Sequence, residues 1–221
     1  MLSLPRLRFR SNPNSVFLNI PYDASYEGMY LAFIGGLSAF GLDPRASLEI
    51  PGGQRRLDRI FALIQTCRYS VHDLSRVQLD LAPPPTPRFN MPFELGLAVA
   101  WAALGGPGVH TWFVFESRER RLEKSLSDLR GTDANIHGGT VRGVFRELGN
   151  ALVQTQHQPT VGQMEAIYSD LRRQVRRIVR DTGAQTLFEA EVFKRLVGLA
   201  RLSARQHIPS LKSLPPRPRT A

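Results

Sequence analysis

The sequence predicts a doubly wound α/β sheet of about five parallel strands with a helical extension at its C-terminal end. Three observations predict it. Short apolar runs bounded by Pro, Gly, Asn or Ser recur at residues 16–20, 46–50, 69–74 and 111–115. Stretches with helical spacing separate them, and the alternation holds to residue 153. Strands joined by crossover helices must run parallel, with helices on both faces.

Val16-Phe17-Leu18-Asn19-Ile20 follows a Pro/Asn/Ser cluster and reads as a buried first strand, closed by Pro21-Tyr22-Asp23. A helix should run from Asp23 to Phe40, because Tyr26, Met29, Tyr30, Phe33, Ile34 and Leu37 fall at helical spacing. Gly41-Leu42-Asp43-Pro44 reads as a turn, residues 46–50 as the second strand, and Pro51-Gly52-Gly53 as its end. Residues 54–67 make the next helix, with Leu57, Ile60, Phe61 and Ile64 on one face and Arg55, Arg56 and Arg59 elsewhere. The third strand, 69–74, leads into a carboxyl-end loop that begins with Ser75-Arg76. Residues 78–87 contain Pro-Pro-Pro-Thr-Pro, which neither a helix nor a central strand accepts, so they form an exposed loop.

From Phe89 to Leu104 the chain is almost unbroken apolar, and Glu94 is the only charge in it. A helix apolar on every side is a buried one. Asn90 is placed to cap it, Met91-Pro92 fill its first turn, and Glu94 stands about one turn in, near the positive end of the dipole. Gly105-Gly106-Pro107-Gly108 stops the helix, and Thr111-Trp112-Phe113-Val114-Phe115 is the fourth strand. Residues 118–129 read as a polar helix, 131–139 as a short fifth strand or loop, and 140–152 as an amphipathic helix. Two more helices, 163–180 and 186–204, are joined by Asp181-Thr182-Gly183. The chain thus divides into a basic segment 1–15, an α/β domain 16–157, a helical extension 160–208 and a disordered tail 209–221.

The 221 residues, 42% of them hydrophobic, supply a sizeable core. One cysteine, Cys67, rules out an internal disulfide, and the five histidines lack metal-ligand spacing, so no metal site is expected. No apolar stretch is long enough to span a membrane and no signal sequence follows the basic start, which points to the cytoplasm. Net charge is +10, and residues 160–221 hold twelve Lys/Arg against five Asp/Glu. That basic excess implies weak, sequence-blind attraction to nucleic acid.

In sheets of this kind the ligand lies outside the carboxyl ends of the strands, where the strand order reverses. The rule brings together Asn19, Pro21-Tyr22-Asp23, Asp73, Ser75, Arg76 and the segment Asn90 to Glu94, including Met91. No G-x-G-x-x-G, P-loop or G-x-S-x-G motif accompanies them, so the usual dinucleotide and nucleophile-elbow chemistries are absent. Two carboxylates at an apolar wall, Glu94 and Asp73, suit chemistry through an oxocarbenium-like centre. Asp73 could equally staple its own loop, Tyr22 could be an apolar lid, and Arg76 could hold either Asp73 or a phosphate. His72, next to Asp73, should point to the opposite face.

Tyr69-Ser70-Val71-His72-Asp73-Leu74-Ser75, followed by Asn90-Met91-Pro92-Phe93-Glu94-Leu95-Gly96, resembles nucleoside 2-deoxyribosyltransferases and related TIR-like proteins. The pattern is a strand ending in Asp-Leu-Ser, then a helix opening Asn-x-x-x-Glu-Leu-Gly. The resemblance implies a flavodoxin-like sheet and cleavage or exchange of the N-glycosidic bond of a nucleoside, nucleotide or NAD. Glu94 would be nucleophile or cation stabiliser, Asp73 a ribose or proton-handling partner, and Tyr22 and Asn90 substrate-positioning groups. Asn90 stands where some transferases carry an acid, which favours hydrolysis over base exchange. The resemblance further implies a defence or toxin role, as in bacterial members, with no cofactor beyond the nucleotide itself. The C-terminal helices lie outside it and are expected to serve an oligomer or partner surface. A non-catalytic nucleotide sensor using the same cleft is the rival expectation.

Overall fold

A computed structural model describes residues 11–49, 55–77, 79–80 and 83–212. Its main sheet has five strands, all parallel: β1 (Asn12–Asn19), β2 (Asp43–Arg45), β3 (Cys67–Asp73), β4 (Thr111–Glu116) and β5 (Asn135–Ile136). Their order across the sheet is 2-1-3-4-5. This is the flavodoxin-like order, which reverses between β1 and β3. Among the described residues seven helices accompany the strands: α1 (Glu27–Ala39), α2 (Arg56–Thr66), α3 (Asn90–Gly105), α4 (Arg121–Ser125), α5 (Val141–Ala151), α6 (Val161–Thr182) and α7 (Ala190–His207).

Alternation along the strands sorts side chains between two helical layers. Val16, Leu18, Val71 and Phe115 join α1, α5, α6 and α7 in one large core. Phe17 packs on the other face with Ile60 and Leu63 of α2 and Ala98 and Trp101 of α3. Leu74 and Val114 meet Met91 and Leu95 of α3 in a third, smaller cluster.

The helix enclosed on all sides is α1, not α3. Every residue of α1 from Met29 to Ala39 is buried, because α5, α6 and α7 cover what the sheet does not. Glycines permit this closeness: a β-carbon on Gly36 would come within 2.5 Å of Leu148, and one on Gly35 within 3.4 Å of Leu171. On α3 only the inner stripe Met91, Glu94, Leu95, Ala98 and Trp101 is buried, while Phe93 and Leu104 are exposed. An uninterrupted apolar run cannot distinguish the two helices; the number of neighbouring layers does.

The second strand lies earlier than the sequence reading placed it. Asp43-Pro44-Arg45 pairs with β1, Val16 opposite Pro44, and Ser47–Glu49 forms a single 3₁₀ turn. Proline is admissible here because β2 is an edge strand with one neighbour. Ile50 and Pro51-Gly52-Gly53, the expected end of that strand, lie outside the described residues, as do residues 1–10 and 213–221 of the expected terminal segments. In the proline loop, Leu79–Asp80 and Thr86–Pro87 form a two-residue antiparallel ladder. The expected polar helix 118–129 is only α4 plus a 3₁₀ turn at Ser127–Leu129.

Helices α6 and α7 are part of the same core. Met164, Ile167, Leu171 and Val175 of α6, and Val192, Phe193, Leu196 and Ala200 of α7, all lie in the α1 cluster. A capping box between Thr160 and Gln163 starts α6, and Gly183 ends it with φ +69°. Their apolar faces are therefore covered, and an oligomer or partner could use only the outer faces. Those carry arginines already partly neutralised, with Arg173 on Asp170 and Arg177 on Asp181. Among the described residues no helix is long and apolar enough to cross a membrane.

One close approach in α5 gives a direct test of this packing. A β-carbon on Gly143 would run into the His137 carbonyl, whereas one on Gly149 meets nothing within 4 Å. Gly143→Ala should destabilise the protein by about 1–3 kcal/mol, as overpacking does. Gly149→Ala should be neutral or stabilise by up to about 1 kcal/mol through helix propensity. Denaturant unfolding of both variants measures the contrast.

Candidate functional site

A cavity of about 290 Å³ opens at the carboxyl ends of β1 and β3, where the strand order reverses. This is near the lower bound for small-molecule pockets. Of the residues expected from sequence, Asn19, Pro21, Tyr22, Arg76, Asn90, Met91 and Glu94 line it. Ser47, Arg56 and Arg88 line it as well, and none was expected. A strand over 46–50 would hold Ser47 in its interior; with β2 at Asp43–Arg45, the segment after it contributes Ser47 and Arg56. Arg88 follows the proline loop and precedes α3, with no motif to single it out.

Glu94 projects from the inner face of α3 and is 5% exposed. Among the described residues it makes no hydrogen bond and no ion pair. Burial pushes its carboxyl up to about 7, with the Arg56 guanidinium pulling the other way. The expected full charge is thus shifted toward an even balance of protonated and ionised forms at neutral pH. Desolvation of this size exceeds what a helix dipole returns a full turn from the N-terminus. Asn90 is the first residue of α3 rather than its cap: Phe89 precedes the helix and no side chain caps it. Asn90 is instead turned to the cavity.

Tyr22 closes one wall. Its ring meets Tyr30 edge-on at 6.2 Å and tilts against Phe188 at 5.9 Å, and its hydroxyl donates to the Leu18 carbonyl at 3.4 Å. Burial raises its pKa, so the phenol stays neutral. Arg76 pairs neither Asp73 nor open space. It grips Asp23 with Nε at 3.3 Å and Nη2 at 3.0 Å and also contacts the Ser25 hydroxyl. Burial alone would raise the Asp23 carboxyl, but Arg76 and Ser25 hold it below its ordinary value. Asp23 therefore stands beside the cavity as a tether for Arg76 and does not line it.

Asp73 and Ser75 are absent from the lining. Strand alternation turns Asp73 to the α1 side, away from Glu94, and buries it completely. It accepts from the Tyr26 hydroxyl, from the Ser75 N–H at 2.8 Å, and from His137 Nε2 at 3.2 Å. Ser75 Oγ lies 3.0 Å from that same Nε2. Asp73, His137 and Ser75 look like a hydrolytic triad, yet the proton is on the wrong nitrogen. His137 Nδ1 accepts the Gly139 N–H at 3.0 Å, so Nε2 carries the hydrogen and cannot deprotonate Ser75. The loop-stapling alternative is the one this geometry matches. His72, not Asp73, faces the cavity side, and its ring meets Phe17 at 6.1 Å.

The fold and cavity define an α/β protein of flavodoxin-like strand order with a small basic cleft at its topological switch point. No family model matches the chain, and no curated protein matches it. Among the described residues, no three His, Cys, Asp or Glu side chains converge as a metal site would need.

The buried carboxyl makes a thermodynamic prediction. Its folded pKa of about 7 exceeds the ordinary 4.5, so its stabilising contribution is complete below 4.5 and lost as pH rises to about 7. Glu94→Gln keeps a neutral side chain at every pH. The variant should therefore gain on the natural protein across this interval and stay about 1–3 kcal/mol ahead above it. Unfolding by denaturant at a series of pH values reads the difference.

Proposed function

We propose that the cleft binds NAD or a closely related nucleotide and hydrolyses its N-glycosidic bond, with Glu94 opposite the anomeric carbon. The observation that carries this reading is a buried carboxylate with no hydrogen bond or ion pair among the described residues, lining a hollow of about 290 Å³ beside Arg56, Arg76 and Arg88. An unpaired buried acid is costly unless a ligand uses it. The positive charge of the rim, Arg56 and Arg88 together with the Asp23-held Arg76, favours a ligand that carries phosphate. The Asp-Leu-Ser and Asn-x-x-x-Glu-Leu-Gly pattern supports the same chemistry.

In the proposed reaction the ionised Glu94 stabilises, or bonds to, C1′ as the C1′–N bond breaks. The bonding pair leaves with the base nitrogen. Water then adds to C1′, any C1′–O bond to Glu94 breaking with its pair returned to the carboxylate, the water's proton passes to solvent, and the ribosyl product leaves. Among the described residues Glu94 is the only carboxylate lining the cleft, and none of them supplies a second acid there to protonate a departing base. A pyridinium leaving group needs none, because bond cleavage neutralises it. That favours NAD and NADP over ordinary nucleosides. Asp73 then keeps the β3 loop in place rather than handling the ribose. Such an activity belongs in the cytoplasm, and NAD depletion would be its means as a toxin or antiviral effector.

The pure protein incubated with NAD, NADP and a nucleoside panel should release nicotinamide from the first two and little free base from the nucleosides, resolved by chromatography. Glu94→Gln should lower that release by at least about a hundredfold. Since the ionised form acts, kcat/KM should rise with pH through about 7. Saturable binding in a calorimeter with no product after long incubation would instead establish a nucleotide sensor.

A further inference from the structure

Asn19 ends β1 and lines the cleft, yet is only 4% exposed. Its Nδ2 lies 2.9 Å from His72 Nδ1 and 3.3 Å from the Met91 carbonyl oxygen. A carbonyl can only accept, so the amide nitrogen must stand on this side, with both hydrogens engaged. His72 Nδ1 therefore accepts as well. That puts the imidazole proton on Nε2, 2.9 Å from Ser70 Oγ.

The far end of the row imposes the same direction independently. His110 Nδ1 lies 2.9 Å from the Cys67 carbonyl oxygen and must donate to it. A neutral His110 then has only an acceptor at Nε2, and the Ser70 hydroxyl donates to it across 2.8 Å. Ser70 keeps a lone pair for the His72 proton. Burial holds both rings neutral: it drives His72 down to about 3 and lowers His110 too. Sheet register accounts for the alignment, since Asn19 pairs with His72 and Ser70 follows on the same face two residues away.

We infer that Asn19 is a specificity residue of the cleft, its amide locked by the Cys67–His110–Ser70–His72 row so that Oδ1 accepts a hydrogen bond from the ligand. This oxygen has no partner among the described residues and is not one of the fully buried polar atoms left without one. Asn19 lines the cavity, and the proposed role directs this oxygen into it. His72, Ser70 and His110 are positioning residues and touch no ligand. The group they select is an O–H or N–H donor. Within the nucleotide reading, on which the ligand's identity rests, that donor is a ribose hydroxyl or a carboxamide N–H; a carboxylate at the same point would be repelled.

Nitrogen-resolved NMR of the ligand-free protein tests the row. At neutral pH, His72 should carry its single proton on Nε2 and His110 on Nδ1. A proton on His72 Nδ1, or a doubly protonated ring, overturns it. Calorimetry then tests the acceptor with three probes in the Glu94→Gln variant, where turnover does not consume them. They are NAD, its analogue with nicotinic acid in place of nicotinamide, and its analogue with fluorine for the 2′-hydroxyl of the nicotinamide ribose. One analogue should bind at least about tenfold more weakly than NAD, and which one identifies the donor. Asn19→Ala should abolish that preference. Equal affinity for all three probes, or a preference that survives Asn19→Ala, overturns the acceptor role. Should Asn19→Ala fail to fold, the probe comparison without it still decides. Failure of all three to bind removes the nucleotide reading and the ligand named here, while the imidazole protons decide the row on their own.

Discussion

Side chains on a strand alternate, and on β3 that alternation determines which polar groups can meet. Ser70 and His72 point toward α2 and α3, into the row that ends at Asn19. Asp73, one residue on, points toward α1, where Tyr26, His137 and its own loop satisfy it. Two buried polar systems thus lie back to back across one strand without exchanging a hydrogen bond. Each is satisfied for a different reason. The Asp73 system anchors the β3–α3 loop and the start of α5, whereas the His72 system reaches the cleft.

Electrostatics in the cleft follow from that separation. With Asp73 on the far face, the charged neighbour that acts on Glu94 is Arg56, yet burial outweighs its pull. A carboxyl placed this way is responsive: a cationic or strongly donating ligand shifts it toward its ionised form, and an empty site lets it return. The arginines differ in freedom. Arg76 is bound to Asp23 on two atoms, which fixes its plane, whereas Arg56 reaches Glu94 only through space.

Much of this was legible in the sequence because periodicity and the switch-point rule act locally. The first, third and fourth strands and the main helices follow from apolar runs between turn residues. The convergence of Asn19, Tyr22, Asn90 and Glu94 follows from strand order alone. What escaped was set by neighbours. Pro44 signals a turn until β2 is known to be an edge. The run 89–104 signals full burial until α1 is seen to take the central place instead. Alternation alone puts Asp73 and His72 on opposite faces, but no residue of β3 says which face meets α3. His137 and His110 carry no local signal at all, because their partners lie in other strands and loops.

Phe188, in the turn between α6 and α7, rests against Tyr22 and Tyr30 at 5.9 and 5.1 Å. The linker before α6 resembles a seam between a sheet domain and an appendage, but the molecule cannot be divided there. A fragment ending at α5 would expose the outer face of α1 to water, including Gly35, which has no side chain of its own to shield the backbone. It would also strip the backing from one wall of the cleft. The last two helices are structural members of the fold, so any rearrangement that separates them from the sheet dismantles the site along with the core.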